Sequence, residues 1–128
     1  MKKVLVVEDD SLMSRMYERV FSLSGFEIEM ALDGEEGISK LKAASQKPDI
    51  ILLDVMMPKM NGFDALKIIK ADADTKEIPV IILTNLSGKE EAEKSLKLGA
   101  ESYLVKSEHD PKEIVAIVNE TLKKVAGK

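Results

Sequence analysis

Residues 50–62 read IILLDVMMPKMNG: four aliphatic residues, Ile50 to Leu53, then one aspartate, Asp54, ahead of a segment that ends in Asn61 and Gly62. An unbroken aliphatic run has no polar face, which is what a strand covered on both sides of a parallel sheet requires. Residues 4–7 and 80–83 have the same form, and the three runs predict the middle of one sheet. FEIEMA, residues 26–31, instead alternates Phe26, Ile28 and Met30 with Glu27 and Glu29, so one of its faces meets water, as on an edge strand. Residues 103–105 are short and begin with Tyr103, which suits the opposite edge.

Amphipathic segments separate these runs. Asp33 with Glu36, Ser87 with Glu90, and Asp110 with Glu113 have capping-box spacing, and Pro111 falls at a first helical position. Gly25 and Gly99 stand where helices should stop, while Met13, Met16, Tyr17 and Val20 mark one apolar helix face. Five strand-then-helix units imply right-handed crossovers and a doubly wound α/β fold: a five-stranded parallel sheet with helices on both faces. The strand patterns favour the order 2-1-3-4-5. Its topological switch point lies between the first and third strands, and ligands bind there, outside the carboxyl ends of the strands.

Composition narrows the function. The chain has 128 residues, the size of one domain, with 45% hydrophobic and 33% charged residues. No apolar stretch is long enough to span a membrane, and the start MKKVLVVEDD meets three acids where a signal peptide needs a longer apolar region, so a cytoplasmic protein is expected. Cysteine is absent, which removes disulfides and thiolate metal sites. A net charge of −4, with the lysines scattered among acids, argues against direct nucleic-acid binding.

Each strand ends on a group with chemistry: the first on Glu8, Asp9 and Asp10, the third on Asp54, the fourth on Thr84, the fifth on Lys106. Polar residues are common at strand ends, because loops are solvated, so any one of these has an ordinary explanation. The conjunction is more specific. Carboxylates gathered at one switch point repel one another unless they share a cation, and an oxygen-only donor set suits a hard ion, magnesium above all. EDDSLMSRMYER, residues 8–19, lacks the alternating acids and glycine turn of a calcium loop. Magnesium, a hydroxyl and a lysine around a free carboxylate suit phosphoryl transfer, with Asp54 the best placed nucleophile for an acyl phosphate.

VLVVEDDSLM (residues 4–13), DIILLDVMMPKMNGFDAL (49–66), PVIILTN (79–85) and GAESYLVKSE (99–108) together resemble the receiver domain of two-component response regulators, over essentially the whole chain. The flavodoxin-like order 2-1-3-4-5 is also that of chemotaxis-type receivers. The resemblance implies that Asp54 accepts a phosphoryl group from the phosphohistidine of a sensor histidine kinase or phosphotransfer protein. Asp9, Asp54 and the Met56 backbone carbonyl would hold Mg2+, Glu8 acting largely through water. Lys106 and Thr84 would contact the phosphoryl group. Tyr103 matches the aromatic that swings inward with the threonine, which would change the surface offered to a downstream target protein. Covering apolar surface is the plainer role for Tyr103, and capping the first helix or a place in a solvated loop the plainer role for Asp10. Of Met13 and Met16, at least one is expected in the core, and His109 in an exposed loop.

Two departures stand out. The family lysine usually precedes a proline in a cis bond, whereas Lys106 precedes Ser107, which leaves a trans bond or a strained loop and puts the lysine's reach in question. Asn85 follows Thr84 where the family has a small residue, and its bulk would narrow access to Asp54. Met56 and Leu86 occupy positions that in the family influence hydrolysis, and neither orients an attacking water, so a long-lived phosphorylated state is expected. The expectation is thus a single receiver domain over residues 1–128 with no output domain, a monomer or weak phosphorylation-dependent dimer, acting by protein binding and not as an enzyme. A phosphorylation-independent interaction module is the alternative. An aspartyl-phosphate phosphatase would need a second aspartate where Met56 stands.

Overall fold

The structure, a computed structural model, describes residues 1–127. Five units follow one another: β1 (Lys3–Val7) and α1 (Ser11–Leu23), β2 (Glu27–Ala31) and α2 (Gly34–Ala43), β3 (Ile50–Leu53) and α3 (Gly62–Ala71), β4 (Val80–Thr84) and α4 (Lys89–Lys97), then β5 (Ser102–Val105), a 3-10 turn at Lys106–Glu108 and α5 (Pro111–Ala126). All strand pairs are parallel, in the order β2-β1-β3-β4-β5, with β2 and β5 on the edges as the sequence predicts. Register places Val7 beside Leu53 and beside Ala31, so β1 and β3 end level at the carboxyl edge.

Side chains alternate across the sheet with period two, which divides the aliphatic runs between two cores. Leu5, Val7, Ile51, Leu53, Val80 and Ile82 pack with Leu41 of α2 and Ala65, Leu66 and Ile69 of α3. On the other face Val4, Val6, Ile50, Leu52, Ile81 and Leu83 meet Tyr17 and Phe21 of α1 and Ile114, Val115 and Val118 of α5. Met13, Met16 and Val20 are partly buried against this second cluster, so both methionines serve packing. Among the described residues no helix is long and apolar enough to cross a membrane.

Local signals fix most helix ends. Asp10 caps α1 by accepting from the N–H groups of Leu12 and Met13, and α5 has its full box between Asp110 and Glu113. Asp33 caps α2 through Glu36 N–H, but the Glu36 carboxylate reaches back to Leu32 N–H at 3.3 Å, so the reciprocal half is displaced by one residue. Asn61 caps α3 through Asp64 N–H, a start the sequence reading did not identify. Ser87 does not cap α4. Gly88 does, at φ 152° with no side-chain cap bond, because a conformation open to glycine turns the chain into the helix one residue later. Gly25 and Gly99 follow α1 and α4 with φ of 89° and 108°, as expected of helix stops.

Helix α4 is the least firmly seated. Its one fully buried residue is Ser95, whose hydroxyl has no hydrogen-bond partner among the described residues. A cation–π contact from Lys94 to the ring of Phe63, 4.4 Å from its centroid, adds a tie to α3. Burying an unpartnered hydroxyl is unfavourable, and alanine is also the better helix former. Ser95→Ala is therefore expected to stabilise the chain by about 1 kcal/mol, read as a higher urea midpoint at unchanged slope.

Candidate phosphoryl-acceptor site

Glu8 and Asp54 continue β1 and β3 past their last paired residues, and the register that levels those strands sets the two carboxylates side by side. Backbone bonds hold the positions: Glu8 N–H donates to Ala31 O at 2.9 Å and Asp54 N–H to Val7 O at 3.1 Å. Both side chains are buried although they are charged. Asp9 points outward and is exposed, yet one oxygen from each of Glu8, Asp9 and Asp54 lies within 4.8 Å of the others.

Lys106, at the end of β5, crosses to this group. Its ammonium donates to Asp54 Oδ2 at 2.9 Å and to Glu8 Oε1, with all three side chains nearly excluded from water. The Lys106–Ser107 bond is trans, since no peptide among the described residues is cis, and the following 3-10 turn does not prevent the lysine from reaching the acids. Burial works against the ammonium, but its bonds to Glu8 and Asp54 outweigh it and raise the Lys106 pKa. Burial raises the Glu8 pKa, with a smaller contribution from the Asp54 charge, against the opposing bonds from Lys106 and Asp10 N–H.

The cleft is lined by Glu8, Asp9, Asp10, Asp54, Met56, Thr84, Asn85 and Lys106. Asn85 is exposed at its rim. Met56 is 59% exposed, and its N–H donates to Asp54 Oδ1 at 3.2 Å. The Thr84 hydroxyl accepts from Leu86 N–H at 3.2 Å, which leaves its own proton to donate. Tyr103 is outside the cleft. Its ring packs partly buried on the core, and its hydroxyl donates to Leu86 O, so the Leu86 backbone links it to Thr84. His109 is half-buried, not exposed as expected, because it lies against α5 with Nδ1 3.9 Å from a Glu113 oxygen.

The donor set is all oxygen, and three formal negative charges face one ammonium. Such a group fits a hard divalent cation held by Glu8, Asp9 and Asp54, with the Met56 backbone adjacent. Sequence reasoning did not foresee that Tyr17 belongs to this neighbourhood. Its spacing marks it as one member of an apolar face, and only the fold brings its phenol within electrostatic range of Glu8 and Asp54.

A level-ended parallel sheet with acids at its switch point and a lysine from the edge strand defines the receiver class. The family model for the response regulator receiver domain matches residues 4–119, and the chain belongs to that family, the signalling switches of two-component systems. It is 35% identical over 124 residues to a probable transcriptional regulator, ycf27, of Porphyridium aerugineum, covering 97% of this chain and 49% of that one. The chain thus spans about half the length of the curated relatives it matches first. It is 39% identical over 106 residues to the chemotaxis protein CheY of Treponema pallidum, covering 81% and 72%. Among solved structures, one of a CheX–CheY–BeF3–Mg2+ complex from Borrelia burgdorferi is similar with a TM-score of 0.85 at 31% identity, covering 94% and 88%.

Tyr17 titrates under the influence of its burial and of the site. Burial first, then the negative charges of Glu8 and Asp54, raise its pKa above the ordinary 10.0, and the pKa of Tyr103 is also raised, burial again first. A native state that keeps a proton the unfolded chain gives up is favoured below the unfolded pKa and loses that advantage as pH rises through the folded one. Stability is expected to fall above pH 10.0 and to fall less in Tyr17→Phe, measured by urea unfolding across pH 9 to 12.

Proposed function

We propose that this domain is a phosphorylatable switch in which Asp54 accepts a phosphoryl group from the phosphohistidine of a sensor histidine kinase or phosphotransfer protein. The observation that carries the reading is Asp54 itself: a buried carboxylate on a central strand, held by Lys106 and flanked by two further acids. One Asp54 oxygen forms the bond to phosphorus while the donor's P–N bond breaks, its electron pair staying on the imidazole nitrogen. Asp9, Asp54 and the Met56 carbonyl would hold magnesium, with Glu8 acting largely through water, and the ion would supply charge neutralisation for the transferred group.

The chain's own residues do the rest. Backbone bonds at Glu8 and Asp54 fix the carboxylates, so little reorganisation is needed at the moment of transfer. Lys106, already on Asp54 Oδ2, follows the charge onto the phosphoryl oxygens, and Thr84 donates its free proton to one of them. A shift of Thr84 toward the phosphoryl group would pull on Leu86, whose N–H it accepts and whose carbonyl accepts from Tyr103. The new charge thereby shifts populations on the surface of α4, β5 and α5, and α4 is the element with least holding it in place.

We read residues 1–128 as one receiver domain that signals in the cytoplasm by binding a target protein, as a monomer or a weak phosphorylation-dependent dimer, without touching nucleic acid or entering a membrane. A phosphorylation-independent module has little in its favour, given that Lys106 meets Asp54 despite Ser107. Intact mass after incubation with acetyl phosphate tests the proposal. One added phosphoryl group is expected with magnesium, none without it and none in Asp54→Asn. With Met56 exposed at the cleft and Leu86 partly buried on the core, the adduct should decay slowly, and no adduct under any condition contradicts the proposal.

A further inference from the structure

We infer that the N-terminus of α2 clamps the loop between β3 and α3, making Gly34 and Lys59 positioning residues for the cation site. This rests on the reading of Met56 as a cation ligand. Residues 55–61 carry Met56 and are held at two separate places. At the inner one, Gly62 N–H donates to Val55 O at 3.0 Å, and a Cβ on Gly62 would meet Asp54 O and lie 2.7 Å from Val55 Cα.

The outer hold belongs to a different helix. A Cβ on Gly34 would lie 2.7 Å from Met60 O, 3.0 Å from Met60 Cβ and 3.2 Å from Met60 Cγ. The first of these is backbone, so the loop and not a flexible side chain would have to yield. Beside it the Lys59 ammonium is 3.8 Å from Asp33 Oδ2, while Asp33 Oδ1 accepts Glu36 N–H at 2.8 Å. One aspartate therefore caps α2 and pairs with the loop. Lys59 sits at φ 67°, the one non-glycine residue at positive φ among those described, and Met60 N–H closes on Pro58 O at 2.8 Å. A lysine stays in the left-handed region only where its surroundings over-determine it, and here the Pro58–Met60 turn is closed locally while Met60 lies against Gly34 and the Lys59 ammonium faces Asp33.

Between the two holds the loop has little freedom, so a shift at Met60 is carried to Met56, whose N–H is already on Asp54. The sequence linked Asp33 only to starting a helix. The fold makes that helix start the outer support of the cation site.

Calorimetric titration of the whole chain with magnesium chloride tests the clamp, with urea unfolding in EDTA as the check that each variant folds. Gly34→Ala is expected to bind magnesium about tenfold more weakly, the loss typical of a displaced supporting group. Lys59→Asn keeps a residue that tolerates the left-handed region, loses the ion pair, and is expected to weaken binding as well. That direction separates positioning from charge, because removing one positive charge from the domain would, by relieved Coulomb repulsion alone, tighten magnesium binding. Wild-type affinity in a folded Gly34→Ala variant, or equal or tighter binding in Lys59→Asn, overturns the inference. If Gly34→Ala does not fold, Lys59→Asn decides. A wild type that takes up no magnesium removes instead the cation reading on which the clamp depends.

Discussion

Two buried carboxylates sharing one ammonium organise the rest of this molecule. Glu8 and Asp54 stand next to each other because β1 and β3 are in register, and Lys106 comes from the opposite edge strand to lie on both. Without the lysine the pair would face an uncompensated repulsion in a setting where water screens little. With it, Asp9 still leaves the cluster with more negative than positive charge. The arrangement is held together and short of positive charge at once, which is the state a cation or a phosphoryl–cation pair would relieve.

On the proposed reading, an event at Asp54 would reach the surface through the same geometry. Leu86 receives Tyr103 on its carbonyl and gives its N–H to Thr84, so the two side chains are joined through one residue of backbone. Next along the chain is α4, entered through a glycine, with a lone buried serine as its inward anchor. An element so lightly seated is among the first to shift when its neighbours move. By contrast α1, α3 and α5 each bury at least two apolar residues in the cores and serve as the frame.

Much of this was legible in the sequence, for identifiable reasons. Unbroken aliphatic runs distinguish central strands from edge strands whatever follows them, and the strand-end residues Glu8, Asp9, Asp54, Thr84 and Lys106 mark the carboxyl edge once the order is known. Local punctuation was read correctly where the whole signal is local, as at Asp110 with Glu113 and at Gly25. It failed at Ser87, where Gly88 at φ 152° outweighed a matching box one residue earlier. His109 was misplaced because its contact with Glu113 depends on how the 3-10 turn enters α5. Tyr17 and Gly34 stayed invisible as parts of the site for a common reason: their relevant neighbours are Glu8 and Asp54 in one case and Met60 in the other, and helix packing creates both proximities.

The central claim is that the carboxylate cluster is a cation site balanced against Lys106. The most direct measurement is urea unfolding of wild type and Asp9→Asn with and without magnesium. A ligand that binds only the native state raises its stability as the logarithm of one plus the ratio of free ligand to its dissociation constant, so the wild-type midpoint should rise with magnesium. Asp9→Asn should begin with a midpoint at or above that of the metal-free wild type, through relieved repulsion, and respond little to the ion. A wild-type midpoint indifferent to millimolar magnesium would contradict the account.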